Sequence, residues 1–141
     1  MADVKANVGG SLRPRPLSPH LSSYRLTLTM AMSIVHRITG AALYVGTLLL
    51  VWWLVALSSD AGAFAHASRI MGSFLGRLIL FGYTWALFHH MLGGIRHLIW
   101  DTGRAMGPAE REWLAAANLI GSIAITVLLW IFGLLAMGGP M

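Results

Sequence analysis

The 141-residue chain contains no cysteine. It cannot form a disulfide or bind an iron–sulfur cluster through thiolates, so any redox centre it holds must use nitrogen or oxygen ligands. Charge is scarce as well: 11% of the residues are Asp, Glu, Lys or Arg, against 57% hydrophobic. So few polar residues cannot coat a water-soluble globule, which points to a membrane protein. The first 24 residues lack the apolar core of a signal peptide and carry Pro14, Pro16 and Pro19 instead. The first apolar span is therefore expected to stay in the membrane.

Residues 38–59, 78–95 and 113–141 contain no Asp, Glu, Lys or Arg. Each run approaches or exceeds the roughly 18 residues that cross a hydrocarbon core as a helix. The expected fold is an all-α membrane protein with three transmembrane helices, at about 30–57, 70–98 and 110–137, preceded by an arm at 1–29. The arm is rich in proline and arginine and should be extended, because proline disfavours helix in the residue before it. Trp52 and Trp53 suit an interface near the outer end of the first helix, and 58–62 (Ser-Ser-Asp-Ala-Gly) breaks it. The weakly amphipathic segment 63–76 leads into the second helix, with Arg77 near its outer end. Thr102, Gly103 and Pro108 mark the second turn, and Glu110 and Glu112 fit the first turn of the third helix through its dipole.

The net charge of +5 does not form a soluble basic face that would bind nucleic acid; the basic residues flank the apolar runs. Lys5, Arg13, Arg15 and Arg25 precede the first span, Arg96, Arg104 and Arg111 surround the second connection, and the first connection offers mainly Arg69. The positive-inside rule then puts the N-terminus in the cytoplasm and the C-terminus on the outer side.

Chemistry is concentrated in the second helix. His90 and His97 are seven residues apart, close to two turns, so their rings share a face about 10 Å apart along the axis. Ala86 and Gly94 lie on that face and leave room for something broad and flat; His90 is the candidate iron ligand, and His97 a second polar group along the same cofactor. His89 is rotated by about 100° and shares a face with Trp85, Gly93 and Arg96, so both neighbours cannot easily bind one metal. The competing reading is close helix packing, with the histidines bonded to carbonyls across the interface. His66 reads as an ordinary loop residue, and His20 as a possible partner contact.

In the first helix, Ser33 and Arg37 are four apart, so a hydroxyl and a fixed positive charge can converge on one carbonyl oxygen of a quinone head. Arginine stays protonated and stabilises developing negative charge. The alternative is that Arg37 snorkels to phosphates while Ser33 bonds within its helix. Antiparallel packing should bring His36 and Arg37 near Arg96 and His97, with His90 deeper, so that haem propionates could point toward these groups. The depth mismatch disfavours His36 as a second axial ligand and favours haem held between this chain and another.

Three motifs carry a resemblance: 13–24 (Arg-Pro-Arg-Pro-Leu-Ser-Pro-His-Leu-Ser-Ser-Tyr), 33–40 (Ser-Ile-Val-His-Arg-Ile-Thr-Gly), and 90–97 (His-Met-Leu-Gly-Gly-Ile-Arg-His) followed by Asp101. Together they resemble the cytochrome b membrane-anchor subunit of succinate dehydrogenase, respiratory complex II. The resemblance implies a subunit that pairs with a second small anchor and holds a flavoprotein and an iron–sulfur protein at a bacterial inner (plasma) membrane. It implies Ser33 and Arg37 at the ubiquinone site, His90 as a haem b axial ligand, His36 and Arg37 near the propionates, and His97 at the same cofactor. Succinate would be oxidised in the partners, and this chain would carry no iron–sulfur cluster or flavin. Competing readings are a fumarate reductase or other quinone-linked cytochrome b anchor and, from another class, a haem-free structural anchor or transporter component.

Overall fold

The computed structural model describes residues 26–138, so most of the arm, with Lys5, Arg13, Arg15, His20 and Arg25, lies outside the described residues. Within them all regular structure is helical: α1 (Leu28–Ser59), α2 (Ala61–Gly72), α3 (Phe74–Asp101) and α4 (Pro108–Ala136). Three of these, α1, α3 and α4, are long and apolar enough to cross a membrane. At 32, 28 and 29 residues they run to about 40–50 Å, more than the roughly 30 Å hydrocarbon core requires.

The helix ends follow from local hydrogen bonding. Thr27 caps α1 by accepting from the Met30 N–H. Asp60 closes α1 and starts α2, its carboxylate accepting from the Ala63 N–H at 2.8 Å. The second expected span, drawn from Ile70 to Leu98, is corrected here: residues 61–72 form a separate helix and the span begins at Phe74. Ser73 makes the break. Its hydroxyl donates to the Ile70 carbonyl at 2.6 Å and accepts from the Gly76 N–H at 3.1 Å, satisfying backbone groups at both helix ends at once. Pro108 opens α4, where Glu110 reaches back to the Gly107 N–H at 3.0 Å.

Packing is inverted relative to a water-soluble bundle. The buried apolar residues are Met32, Ala56, Ala67, Ala86 and Ala115, whereas Thr39, His89, Arg96, Asn118, Ser122 and Thr126 are also buried. Leucines, isoleucines and phenylalanines of α1, α3 and α4 point outward. In lipid, apolar side chains gain nothing from hiding, so small residues that allow close approach occupy the interfaces. Of the buried polar residues, His89 and Ser122 bond across helices, Thr39 and Thr126 bond within their own, and the Asn118 amide has no partner.

Glycines set the register. Gly46 of α1 faces the Tyr83 ring, Gly40 faces His90, and Gly93 of α3 faces the His36 ring. These pairs run antiparallel along α1 and α3. Gly121 against Leu92, and Trp130 donating to the Thr84 hydroxyl at 3.3 Å, place α4 antiparallel to α3 on its other side. The starts of α1 and α4 meet where the Thr29 hydroxyl donates to Glu112 at 2.8 Å. At the other end lies a cleft of about 550 Å³, lined by Trp53, Met71, Arg77, Leu80, Trp130 and Leu134 among others.

The α2–α3 corner depends on Gly76, where an added Cβ would meet the Ile70 carbonyl oxygen and lie 2.6 Å from that of Met71. Backbone cannot step aside as a side chain can. Gly76→Ala is expected to cost about 1–3 kcal/mol by overpacking, read as a lowered thermal midpoint of the purified assembly; an unchanged midpoint would contradict this account of the corner.

Candidate functional site

Three imidazoles meet between α1 and α3. The His36 ring lies flat on that of His90, with centroids 4.0 Å apart and planes 4° from parallel, and its centroid is 5.6 Å from that of His97. Gly93 makes this approach possible, since any Cβ there would collide with His36 Nδ1. Gly40 does the same beneath His90, where a Cβ would sit 3.0 Å from Cε1. The expected depth difference between His36 and His90 amounts to less than one turn, small enough for the two rings to stack. The antiparallel register pairs 36 with 93 and 40 with 90, which leaves His90 less than one turn from His36.

The hydrogen bonding of His90 defines its chemistry. Its Nδ1 lies 3.1 Å from the backbone carbonyl oxygen of His36. A carbonyl can only accept, so Nδ1 carries the proton and donates, leaving the lone pair on Nε2. Neutral imidazole with one nitrogen donating to a carbonyl and the other bare is the form in which histidine binds a metal. Gly94, one turn along, has nothing within 4 Å of where a Cβ would stand. His97 is exposed, with its ring 5.2 Å from that of Trp100. Among the described residues no group of three His, Cys, Asp or Glu side chains is placed to hold a metal ion unaided.

His89 faces α4. It is 0% exposed, and its Nδ1 sits 3.3 Å from the Ser122 hydroxyl. That hydroxyl donates to the Leu119 carbonyl at 2.9 Å, so it accepts from His89. Gly93 and Arg96 share this inward face; Arg96 is 3% exposed, with its guanidinium 5.1 Å from the Trp100 ring centre. The α4 contribution to this face escaped the sequence reading. Asn118, Ser122 and Thr126 stand four residues apart in an otherwise apolar helix, a polar stripe of one-turn spacing that could have marked the buried side.

Ser33 and Arg37 share an exposed face of α1 with the half-buried Thr29, at one-turn intervals. Arg37 follows His36 directly and is turned from it by about 100° around the helix, so it borders the imidazole cluster. His66 lies on α2, not in a loop.

These features define a polytopic helical membrane protein whose buried interfaces are polar and whose α1–α3 seam carries histidines in ligand-competent form. The family model described as "Succinate dehydrogenase/Fumarate reductase transmembrane subunit" matches residues 11–133, and the chain belongs to that family. It is 46% identical over 128 residues to the succinate dehydrogenase cytochrome b556 subunit of Paracoccus denitrificans, covering 91% of this chain and 94% of the relative. The cytochrome b556 subunit of Rickettsia felis is 36% identical over 119 residues, covering 83% and 91%. The mitochondrial cytochrome b560 subunit of Sus scrofa is 43% identical over 96 residues, covering 65% and 56%. With its three apolar spans, the chain is a multi-pass inner-membrane protein.

Ser122→Ala would leave the buried His89 Nδ1–H without an acceptor. A loss of about 1–3 kcal/mol follows, measurable as reduced thermal stability of the assembly; wild-type stability would show that the bond contributes nothing.

Proposed function

We propose that this chain is the membrane-anchor subunit of a succinate:ubiquinone oxidoreductase, that it holds haem b together with a second small anchor, and that it forms part of the ubiquinone-reduction site. The observation that carries the haem assignment is the His90 Nδ1–H donating to the His36 carbonyl, which leaves the lone pair on Nε2. Bound there, haem supplies a reversible one-electron store within the membrane. His36 and His97 surround the ligand with hydrogen-bonding edges, Arg37 adds fixed charge suited to propionates, and Gly94 keeps the adjoining surface low. His36 is not the second axial ligand in this reading. With the His36 ring stacked on that of His90 at 4.0 Å, no room remains between the two imidazoles for a broad flat group. A partner chain fills that role.

Ser33 and Arg37 receive the quinone head on the exposed α1 face. The hydroxyl hydrogen-bonds a carbonyl oxygen, and the guanidinium, always protonated, stabilises the negative charge that builds there during reduction. Electrons arise from succinate oxidation in a flavoprotein partner and pass through an iron–sulfur partner. The family description covers fumarate reduction too; the relatives named above all carry succinate dehydrogenase names, which favours succinate oxidation. The N-terminal arm and the α3–α4 turn, flanked by Arg96, Arg104 and Arg111, face the cytoplasm, and the C-terminus lies outside. The chain divides functionally into an arm at 1–29 that meets the partners and an anchor at 30–141.

His90→Ala is expected to remove or shift the b-type bands of the reduced-minus-oxidised spectrum of the purified assembly, and His89→Ala to perturb them less; equal effects would refute the assignment to His90. Ser33→Ala and Arg37→Ala should each lower quinone reduction by about tenfold or more while succinate oxidation with a soluble dye acceptor continues. Unaltered quinone kinetics would exclude both residues from the site.

A further inference from the structure

Resting on the quinone-site reading, we infer that Glu112 supplies protons to the quinone through Thr29 and Ser33. The Glu112 carboxylate accepts from the Thr29 hydroxyl at 2.8 Å and, more weakly, from the Thr29 N–H at 3.5 Å. Thr29, Ser33 and Arg37 follow one another at four-residue intervals, so Glu112 stands at the end of the stripe that receives the quinone. It comes from another helix, near the start of α4, where the chain has just left the turn at Thr102–Gly107. The contact thus joins the membrane edge to the proposed reaction face.

Reduction of a quinone to a quinol takes two electrons and two protons. Arg37 does not release its proton; in this reading the hydroxyl of Ser33 gives one and is refilled. Adjacent positions of the stripe are about 5–6 Å apart, a gap that one water bridges. In its protonated form Glu112 donates to the Thr29 oxygen, and the Thr29 hydroxyl turns to donate along the stripe. A proton then leaves Glu112, Thr29 passes its own to the bridging water, the water passes one to Ser33, and Ser33 delivers one to the quinone oxygen. Glu112 regains a proton from water at the membrane edge. One such passage protonates the oxygen facing Ser33; the other quinone oxygen takes its proton from water, and two electrons from succinate oxidation in the partner subunits complete the quinol.

A carboxylate near a helix start also serves as a cap for exposed N–H groups, and the experiment separates the two roles. In Glu112→Gln the amide oxygen still accepts from Thr29, so the cap survives while the transferable proton is lost. Measured on the assembled complex, Glu112→Gln is expected to lower kcat for quinone reduction by about tenfold or more, with KM for quinone and succinate–dye activity unchanged and a larger solvent isotope effect. Thr29→Val should lower kcat likewise, and Thr29→Ser should restore it. If Glu112→Gln fails to assemble, the Thr29 pair carries the test. Wild-type kcat in Glu112→Gln, or in Thr29→Val, overturns the relay. Ser33→Ala measured alongside distinguishes the failures: a normal Ser33→Ala rejects the quinone site itself, whereas an impaired Ser33→Ala with a normal Glu112→Gln rejects the relay alone.

Discussion

The hydrogen bond from His90 Nδ1 to the His36 carbonyl organises the α1–α3 seam. It fixes the tautomer and orientation of one imidazole, and it requires the two helices to approach closely enough for a side chain of one to reach the backbone of the other. Gly40 and Gly93 permit that approach, and the stacked His36 ring holds His90 from the side. In the proposed function this single contact connects packing to chemistry: the interaction that joins the helices also leaves a metal-binding nitrogen bare.

The face of α3 turned toward α4 has a different task. His89, Arg96, Asn118, Ser122 and Thr126 are buried together with alanines, while the large apolar side chains face outward. Such an interior would be a poor core in water. In a bilayer the His89–Ser122 pair keeps two polar groups bonded across the interface and out of hydrocarbon. Adjacent histidines are thereby assigned by geometry to different tasks, one sealed between α3 and α4 and bonded to Ser122, the other at the seam where a flat cofactor has access.

Much of this was legible from residue order alone. Long uncharged runs dictate spans in any chain, and α1, α3 and α4 follow them; the rotation between His89 and His90 follows from the helical repeat, and it places Gly93 and Arg96 with the former. What was hidden depended on contacts between distant segments. Gly72 and Gly76 flank Ser73, but single glycines also occur inside the spans, and the break rests on one hydroxyl that both donates and accepts. The level of His36 relative to His90 is set by interhelical register, which two glycines determine only once the helices are docked. The α4 stripe lay within a run read as an uncharged span with no face assigned, since three small polar residues hardly lower its apolar character.

An experimental map of the complete assembly tests the central claim most directly. Iron bonded to Nε2 of His90, with Nδ1 still donating to the His36 carbonyl and the opposite axial position filled from another chain, is the predicted result. Iron on His89, or ordinary side chains and lipid packed against His90 and Gly94 where the porphyrin belongs, would contradict it.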